Sequence, residues 1–348
     1  MKSEQEADGS MSAAPELLAR ARAGDHRAFT ALTAPHHREL EVHCYRMLGS
    51  LQDAEDAFQE TMVSAWQSLG GFEQRASLRT WLYRIATSRC LDARRRERRR
   101  PAKAWDVPGV PFLEPTGTDA VTWLEPLPDA RMPDGHELPV GPEGRYDQIE
   151  SVSLAFVTAL QLLPPRQLAV LLLRDVLGFP AREVADMLDT TVESVTSALK
   201  RARAGVGRAT VADEHRTPPP APRSAAEEQL VRRFVRAWEA ADAEAVVALL
   251  TDDAFMTMPP MPYRYGGREL VGRFCSNLFD GGRRFELVPT RANGQPALGA
   301  YLAAASGDRP GVGLYVLTVA GDRISALTRF EHTVLPSFGL PASLHADG

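Results

Sequence analysis

The sequence predicts a multidomain protein in which two all-α blocks precede a C-terminal α+β domain. Three observations predict it. Apolar residues recur at helical spacing from Pro15 to Arg100 and again over 149–212. A proline- and glycine-rich stretch without periodicity separates those blocks. Alternating, strand-like runs begin only after a second proline-rich segment, TPPPAPRS. At 348 residues, 44% apolar and 24% charged, the chain suits two or three soluble domains. The predicted boundaries are a disordered N-terminus (1–12), a helical block (13–100), an acidic linker (101–148), a second helical block (149–212), a proline-rich linker (213–226), the α+β domain (227–340) and a tail (341–348).

No window approaches the ~20 apolar residues of a membrane span and no basic-then-apolar leader opens the chain, so a cytoplasmic protein without membrane contact is expected. Cys44, Cys90 and Cys275 lie at unrelated positions with no zinc-ligand spacing, which predicts buried thiols, no metal and no cofactor. The net charge of −5 argues against a uniform affinity for nucleic acid. The charges are segregated, however, and the cationic stretches fall at helix ends.

In DAEDAFQETMVSAWQSL, Ala54, Ala57, Phe58, Thr61, Met62, Ala65, Trp66 and Leu69 follow helical spacing and form one packed face. Asp53, Asp56, Gln59, Glu60 and Gln67 remain on the other. The next helix, SLRTWLYRIATSRCLDARRR, opens with Ser77 as N-cap, turns Leu78, Trp81, Leu82, Ile85 and Ala86 inward and ends in cations that suit its C-terminus. Trp81 is expected in the core by its spacing.

From Ala104 to Glu150 there are ten acidic residues against two arginines, with many prolines and glycines. That composition predicts a flexible tether. Its charge could repel DNA and mask the cationic helices, or merely keep the chain soluble. Helical periodicity returns in ESVSLAFVTALQLL and stops at Pro164 and Pro165.

PAREVADML, a tight DTT turn and TTVESVTSALKRARA then make a helix-turn-helix candidate, with Thr190 and Glu193 as capping box. Val192, Val195, Leu199 and Ala202 are expected on the buried side. Ser194, Thr196, Ser197, Lys200 and Arg201 are displayed, small hydroxyls first and cations after, an order suited to base edges and phosphates in a major groove, with Arg203 and Arg208 adding cationic charge.

These stretches carry a resemblance. HCYRMLGSLQDAEDAFQETMVSAWQSLGGFEQRASLRTWLYRIATSRCLDARRR resembles region 2 of an extracytoplasmic-function (ECF) sigma factor of the sigma-70 family. LPPRQLAVLLLRDVLGFPAREVADMLDTTVESVTSALKRARA resembles region 4 of the same family. The resemblance implies a region 2 helical bundle and a region 4 helix-turn-helix that join core RNA polymerase and direct it to promoter DNA. It implies polymerase docking by Asp53, Asp56, Gln59 and Glu60. It implies capture of the −10 element by Phe72, Glu73, Gln74, Arg75 and Ser77, with Ser88, Arg89, Arg94 and Arg95 tracking the strand. It sets Thr196, Ser197, Lys200, Arg201 and Arg203 against the −35 element; Thr196 and Ala198 stand where many relatives carry cations, which implies weaker base readout.

The last block begins with the amphipathic EEQLVRRFVRAWEA and closes with GLYVLTVAGDRISALTRF, two strands joined at Ala320 to Asp322. RFVRAWEAADAEAVVALLTDDAFMTMPP, GRELVGRF, RANGQPALGAY and SFGLP resemble a SnoaL-like domain, a cone of the NTF2-like α+β class, and a sigma factor carrying this domain resembles a fused subgroup of ECF factors. Asp253, Met256, Met258, Tyr263, Arg291, Phe330 and His332 are candidates for a pocket, with Tyr265 and Glu331 nearby, though their spacing forms no recognisable catalytic set. A regulatory cone, contacting the sigma domains and taking an unidentified small ligand, is the favoured reading. The alternatives are a cyclase or isomerase fused to a DNA-binding region, and a helix-turn-helix repressor that senses a ligand.

Overall fold

A computed structural model describes residues 15–96, 103–107, 110–132, 152–214, 217–303 and 308–345. The disorder expected over 1–12, the basic run 97–102, most of the linker beyond 132 and the final residues lie outside these. The chain forms two compact units. The first draws on Met1–Glu97, Arg131–Leu138 and Pro164–Arg203, the second on Arg98–Ala130, Pro139–Leu163 and Ala204–Gly348.

The first unit is helical. α1 (15–22) is followed by α2 (His26–Thr33), α3 (His37–Leu48), α4 (Leu51–Ser68) and α5 (Leu78–Arg96). Side-chain caps set the starts: Asp25 accepts from the amides of Arg27 and Ala28, and Ser50 from that of Asp53. Leu40, Tyr45, Met47, Ala65, Leu82, Tyr83 and Ala86 are fully buried where α3, α4 and α5 pack. Of the expected face of α4, Ala54, Ala57, Phe58, Thr61, Ala65 and Leu69 are buried, while Met62 and Trp66 are half-buried. α7 (Pro165–Leu171), widened by one turn over Leu172–Val176, α8 (Ala181–Met187) and the start of α9 (Val192–Glu214) complete this unit.

The second unit is built on a sheet of order β1-β3-β2-β7-β6-β5-β4, with β8 on β6. Its strands are β1 (Gly117–Thr118), β2 (Leu250–Met258), β3 (Met261–Gly266), β4 (Phe285–Ala292), β5 (Gln295–Leu302), β6 (Arg309–Ala320), β7 (Arg323–Phe330) and β8 (Ser343–Leu344). All pairings are antiparallel except β2 with β7. α10 (Ala225–Glu239), α11 (Ala243–Ala248) and α12 (Arg268–Phe279) contribute Phe234, Trp238, Val246, Phe274 and Leu278 to one core with Met256, Met258 and Leu317 of the strands. α6 (Leu154–Gln161), the first helix of the region-4 block, also belongs to this unit.

The described part of the acidic linker is not a free tether. Thr116 and Asp119 donate to the carbonyls of Arg264 and Pro262 at 2.9 and 2.8 Å, and β1 extends the sheet along β3. Val107 and Val110 enter the cone core, and Trp105 meets Phe112, Tyr263, Tyr265 and Phe274. Composition misled here because an edge strand and three apolar anchors hold a segment however many prolines flank them. The second linker is docked as well: Gly321 in the β6–β7 turn donates to Thr217 and Pro218.

Candidate nucleic-acid and polymerase interfaces

Region 2 turns from α4 to α5 through a loop held at both ends. The Phe72 amide donates to Leu69, its carbonyl accepts the Arg22 guanidinium, and its buried ring lies 4.9 Å from that of Trp81. At the other end Ser77 caps α5 by accepting from the Thr80 amide at 3.0 Å. Between these anchors Gln74 takes a left-handed φ of 57°, a conformation that costs energy in a non-glycine residue and throws its side chain outward. Glu73, Gln74, Arg75 and Ser77 are all exposed, with Glu73 and Arg75 ion-paired.

An open groove of about 610 Å³ runs beside this loop, lined by Gly71–Ser77, Thr80, Trp81 and Arg84 and, opposite them, by Glu183, Asp186 and Met187 of α8. Trp81 is therefore half-buried on the groove wall, whereas its spacing had placed it in the core. Spacing along a helix gives a direction, but the loop that returns to stack Phe72 on Trp81 is a tertiary matter. Arg84 is a second residue the sequence reading missed, although it lies seven after Ser77 and four before Ser88 on one stripe.

Further along α5, Ser88 and Arg95 are exposed, while Arg89 and Arg94 are half-buried. Asp92 pairs with Arg89 at 3.7 Å and Arg95 at 3.0 Å, and Arg94 donates to the Met47 carbonyl. On α4, Asp56, Gln59 and Glu60 are exposed and Asp53 is half-buried in the first turn, so the four predicted docking residues share one side. Val63 adds an apolar spot at 55% exposure.

The same unit holds a cluster of polar groups between α3 and α5. Glu39 accepts from Arg79 at 2.9 Å and from the Tyr83 hydroxyl at 3.2 Å, and pairs with His36 at 2.7 Å. Burial raises its carboxyl, but His36 and Arg79 more than offset that and hold it below its ordinary value. His43 is fully buried and bonds the Thr87 hydroxyl through Nε2 at 2.9 Å; burial, with Arg46 and Arg79 nearby, pushes its pKa down to about 3.

The helix-turn-helix is formed by α8 and α9. Asp189 takes φ 48° in the turn, which shifts the cap of α9 by one residue. Thr191, rather than Thr190, caps the helix by accepting from the Ser194 amide at 3.2 Å. Val195, Leu199 and Ala202 are buried as expected, but Val192, at the first position of α9, is 41% exposed. Thr196, Ser197, Lys200 and Arg201 are exposed together. Arg203 instead grips Asp175 with two bonds of 2.7 and 2.8 Å.

The seven candidate pocket residues of the C-terminal domain are not brought together. Met256, Met258 and Phe330 are closed in the core, while Asp253 and His332 are exposed. Tyr263 packs on Trp105 and Phe112. Arg291 lies at 2.7 Å from Glu227 and 3.1 Å from Asp129. Alternation along a strand could not show which faces α10, α12 and the linker would cover. Among the described residues no group of His, Cys, Asp and Glu could hold a metal ion, and no described helix is long and apolar enough to cross a membrane.

Two helical modules and a cone define a sigma-70-type factor with a fused C-terminal domain. The chain matches Sigma-70 region 2 over residues 32–100, Sigma-70 region 4 over 153–204 and a SnoaL-like domain over 231–332. It is 43% identical over 335 residues to the ECF RNA polymerase sigma factor SigG of Mycobacterium tuberculosis, across 93% of this chain and 86% of the relative. SigM of the same species is 32% identical over 193 residues, 56% of this chain and 82% of that protein. The crystal structure of M. tuberculosis SigJ has the same fold, with a TM-score of 0.55 at 22% identity over 87% of this chain and 95% of its own. The chain belongs to the ECF RNA polymerase sigma factors.

Proposed function

We propose that this chain binds core RNA polymerase in the cytoplasm through Asp53, Asp56, Gln59 and Glu60, delivers the −10 element to the loop at Phe72–Ser77 and to Ser88, Arg89, Arg94 and Arg95, and reads the −35 element with Thr196, Ser197, Lys200, Arg201 and Arg203. The observation that carries the reading is the loop: anchored at Phe72 and Ser77, strained at Gln74 and set beside an open groove. Preorganisation of this kind lowers the cost of taking an unstacked base, which is a few kcal/mol. Arg203 would act on DNA after release from Asp175.

The cone acts as a scaffold and regulator, not as a catalyst. Its candidate acid and base groups are dispersed, and Val107 and Val110 of the chain itself are part of its core, with Trp105 packed against it. The test is reconstitution of the full chain with core polymerase and run-off transcription from a mapped promoter. Gln74→Ala and Lys200→Ala are expected to keep the polymerase complex and lower transcript yield. Loss of neither function, or turnover of a metabolite by the cone that Asp253→Ala abolishes, would overturn it.

A further inference from the structure

The core of the cone lies on one face of the sheet, where Met256, Met258, Leu317 and Leu327 point. Successive side chains of a strand alternate between faces, so Thr257, Thr318 and Thr328 stand on the other. That face is covered by α6 and by the linker residues at 119–124, and between the cover and the sheet lies a cavity of about 260 Å³. The cavity belongs wholly to the second unit and is separate from the interior of the cone.

Three polar side chains stand in one row on its floor. Arg264 of β3 is the register partner of Thr257 of β2, and Thr257 is that of Thr328 of β7. Strands ~4.8 Å apart therefore present a guanidinium and two hydroxyls side by side. Thr257 and Thr328 are each 6% exposed, and the bond from one hydroxyl to the other spans 3.5 Å, against ~2.8 Å for an ordinary hydroxyl pair. Thr328 accepts in that pair, so its own hydroxyl hydrogen has no acceptor among the described residues. A buried donor left in that state costs free energy that an incoming acceptor returns. Arg264 is loosely held: its guanidinium lies 3.6 Å from the centroid of the Phe255 ring and 3.7 Å from Asp119, where a close charge-assisted bond measures ~2.8 Å. Asp119 is the one carboxylate among the described lining residues, and burial raises it above its ordinary value by more than Arg264 lowers it. Val121, Leu124, Leu154, Ala159 and Ala326 make the remaining wall apolar.

We propose that this cavity binds a small monocarboxylate with an apolar body, its carboxylate on Arg264, Thr257 and Thr328 and its hydrocarbon against α6 and the linker. The volume is that of about nine water molecules at ~30 Å³ each, which sets the ligand at roughly ten non-hydrogen atoms. A cationic donor beside two hydroxyls fits the two oxygens of a carboxylate, whereas an alcohol offers one oxygen to all three and an amine finds only Asp119. The ligand is held between the sheet and α6, and α6 opens the stretch that matches region 4. Occupancy thus ties the first helix of that block to the cone. This regulatory consequence rests on the sigma-factor reading above; the binding does not.

The test uses the full chain and octanoate, followed by titration calorimetry. Octanoate is expected to bind with a Kd below about 1 mM, and octan-1-ol and octylamine at least about tenfold more weakly. Arg264→Met is expected to weaken octanoate binding by about tenfold or more and Thr328→Val by about threefold to tenfold. Asp119→Asn removes the competing charge and is expected to tighten it about threefold. The opposite signs of Arg264→Met and Asp119→Asn separate a lost contact from a misfolded domain. Hydrogen exchange with octanoate present should slow at 119–124 and 154–161. No binding below 1 mM, equal binding of octylamine, or unchanged affinity in Arg264→Met overturns the proposal. Run-off transcription with core polymerase, with and without octanoate, keeps the levels apart. A chain that binds octanoate and yields no transcript removes the sigma-factor reading and leaves the site. A chain that transcribes and binds no octanoate removes the site alone, and a transcript yield that bound octanoate does not change removes the regulatory consequence.

Discussion

The side-chain amide of Asn293 donates to the carbonyl of Val152 at 2.6 Å, joining the β4–β5 hairpin tip to the residues that enter α6. Its oxygen accepts from the Leu127 amide at 2.8 Å, and its own amide donates back to the Leu127 carbonyl at 2.8 Å. Asn293 and Gly294, at φ 57° and 72°, form the tight turn an Asn-Gly pair favours between antiparallel strands. One fully buried residue thus binds the acidic linker and the start of the region-4 block to the cone.

Asn293→Ala is accordingly expected to destabilise the second unit by about 2–4 kcal/mol, since buried donors and acceptors lose partners and alanine tolerates the left-handed turn less well than asparagine. Urea unfolding followed by Trp fluorescence measures it. Limited proteolysis should show new cleavage between 119 and 132; unchanged protection there would show that the bonds do not hold the linker.

Arg291 provides a second anchor in the same place. It is flanked by Glu227 and Asp129, both largely buried, so Arg291→Met leaves two carboxylates close together without their cation. Removing one partner of such a network costs about 3–5 kcal/mol, and the triple variant with Glu227→Gln and Asp129→Asn should recover part of it. A triple variant no more stable than Arg291→Met would argue against an electrostatic cause.

Trp105→Ala tests the docked linker. A half-buried indole against four aromatic rings is expected to contribute about 2–3 kcal/mol. Hydrogen exchange at 103–107 and 110–119 should accelerate in the variant while β5 and β6 keep their protection.

The His43 imidazole gives the first unit a dependence on pH. Burial holds it down at about 3, against 6.5 for a free imidazole. The unfolded chain takes up a proton near pH 6.5 and the folded chain does not. Stability is therefore complete above pH 6.5 and declines as pH falls toward 3, by about 2 kcal/mol between 6.5 and 5. Chemical denaturation at pH 7.5, 6 and 5 checks this, and His43→Gln should flatten the decline.

Counterion release separates the cations of α9. Lys200→Ala or Arg201→Ala is expected to reduce the salt slope of duplex binding by about one unit, as for a single phosphate contact. Arg203→Ala should change it less, because its guanidinium must first leave Asp175.

Much of this protein was legible in the residues. The helical spacing in α4 and α5, the order of the two motifs, the basic helix-turn-helix and the β6–β7 hairpin follow from local rules, which a sequence states directly. The capping residue of α9 was misplaced by one because a left-handed Asp189 is a tertiary outcome. The spacing assigns Trp81 to the core and does not single out Arg84, because only the return of the loop and the approach of α8 turn that stripe of α5 into a groove.

The sequence by itself determined which segments are helices, which carry cations and to which family they belong, because periodicity, caps and motifs act over a few residues. Only the tertiary structure decided that the acidic linker is an edge of the cone, that the candidate pocket residues point to separate places, and that Glu183 and Asp189 meet Thr80 and Arg84. Those outcomes depend on packing between residues more than a hundred positions apart, and no local pattern encodes such a contact.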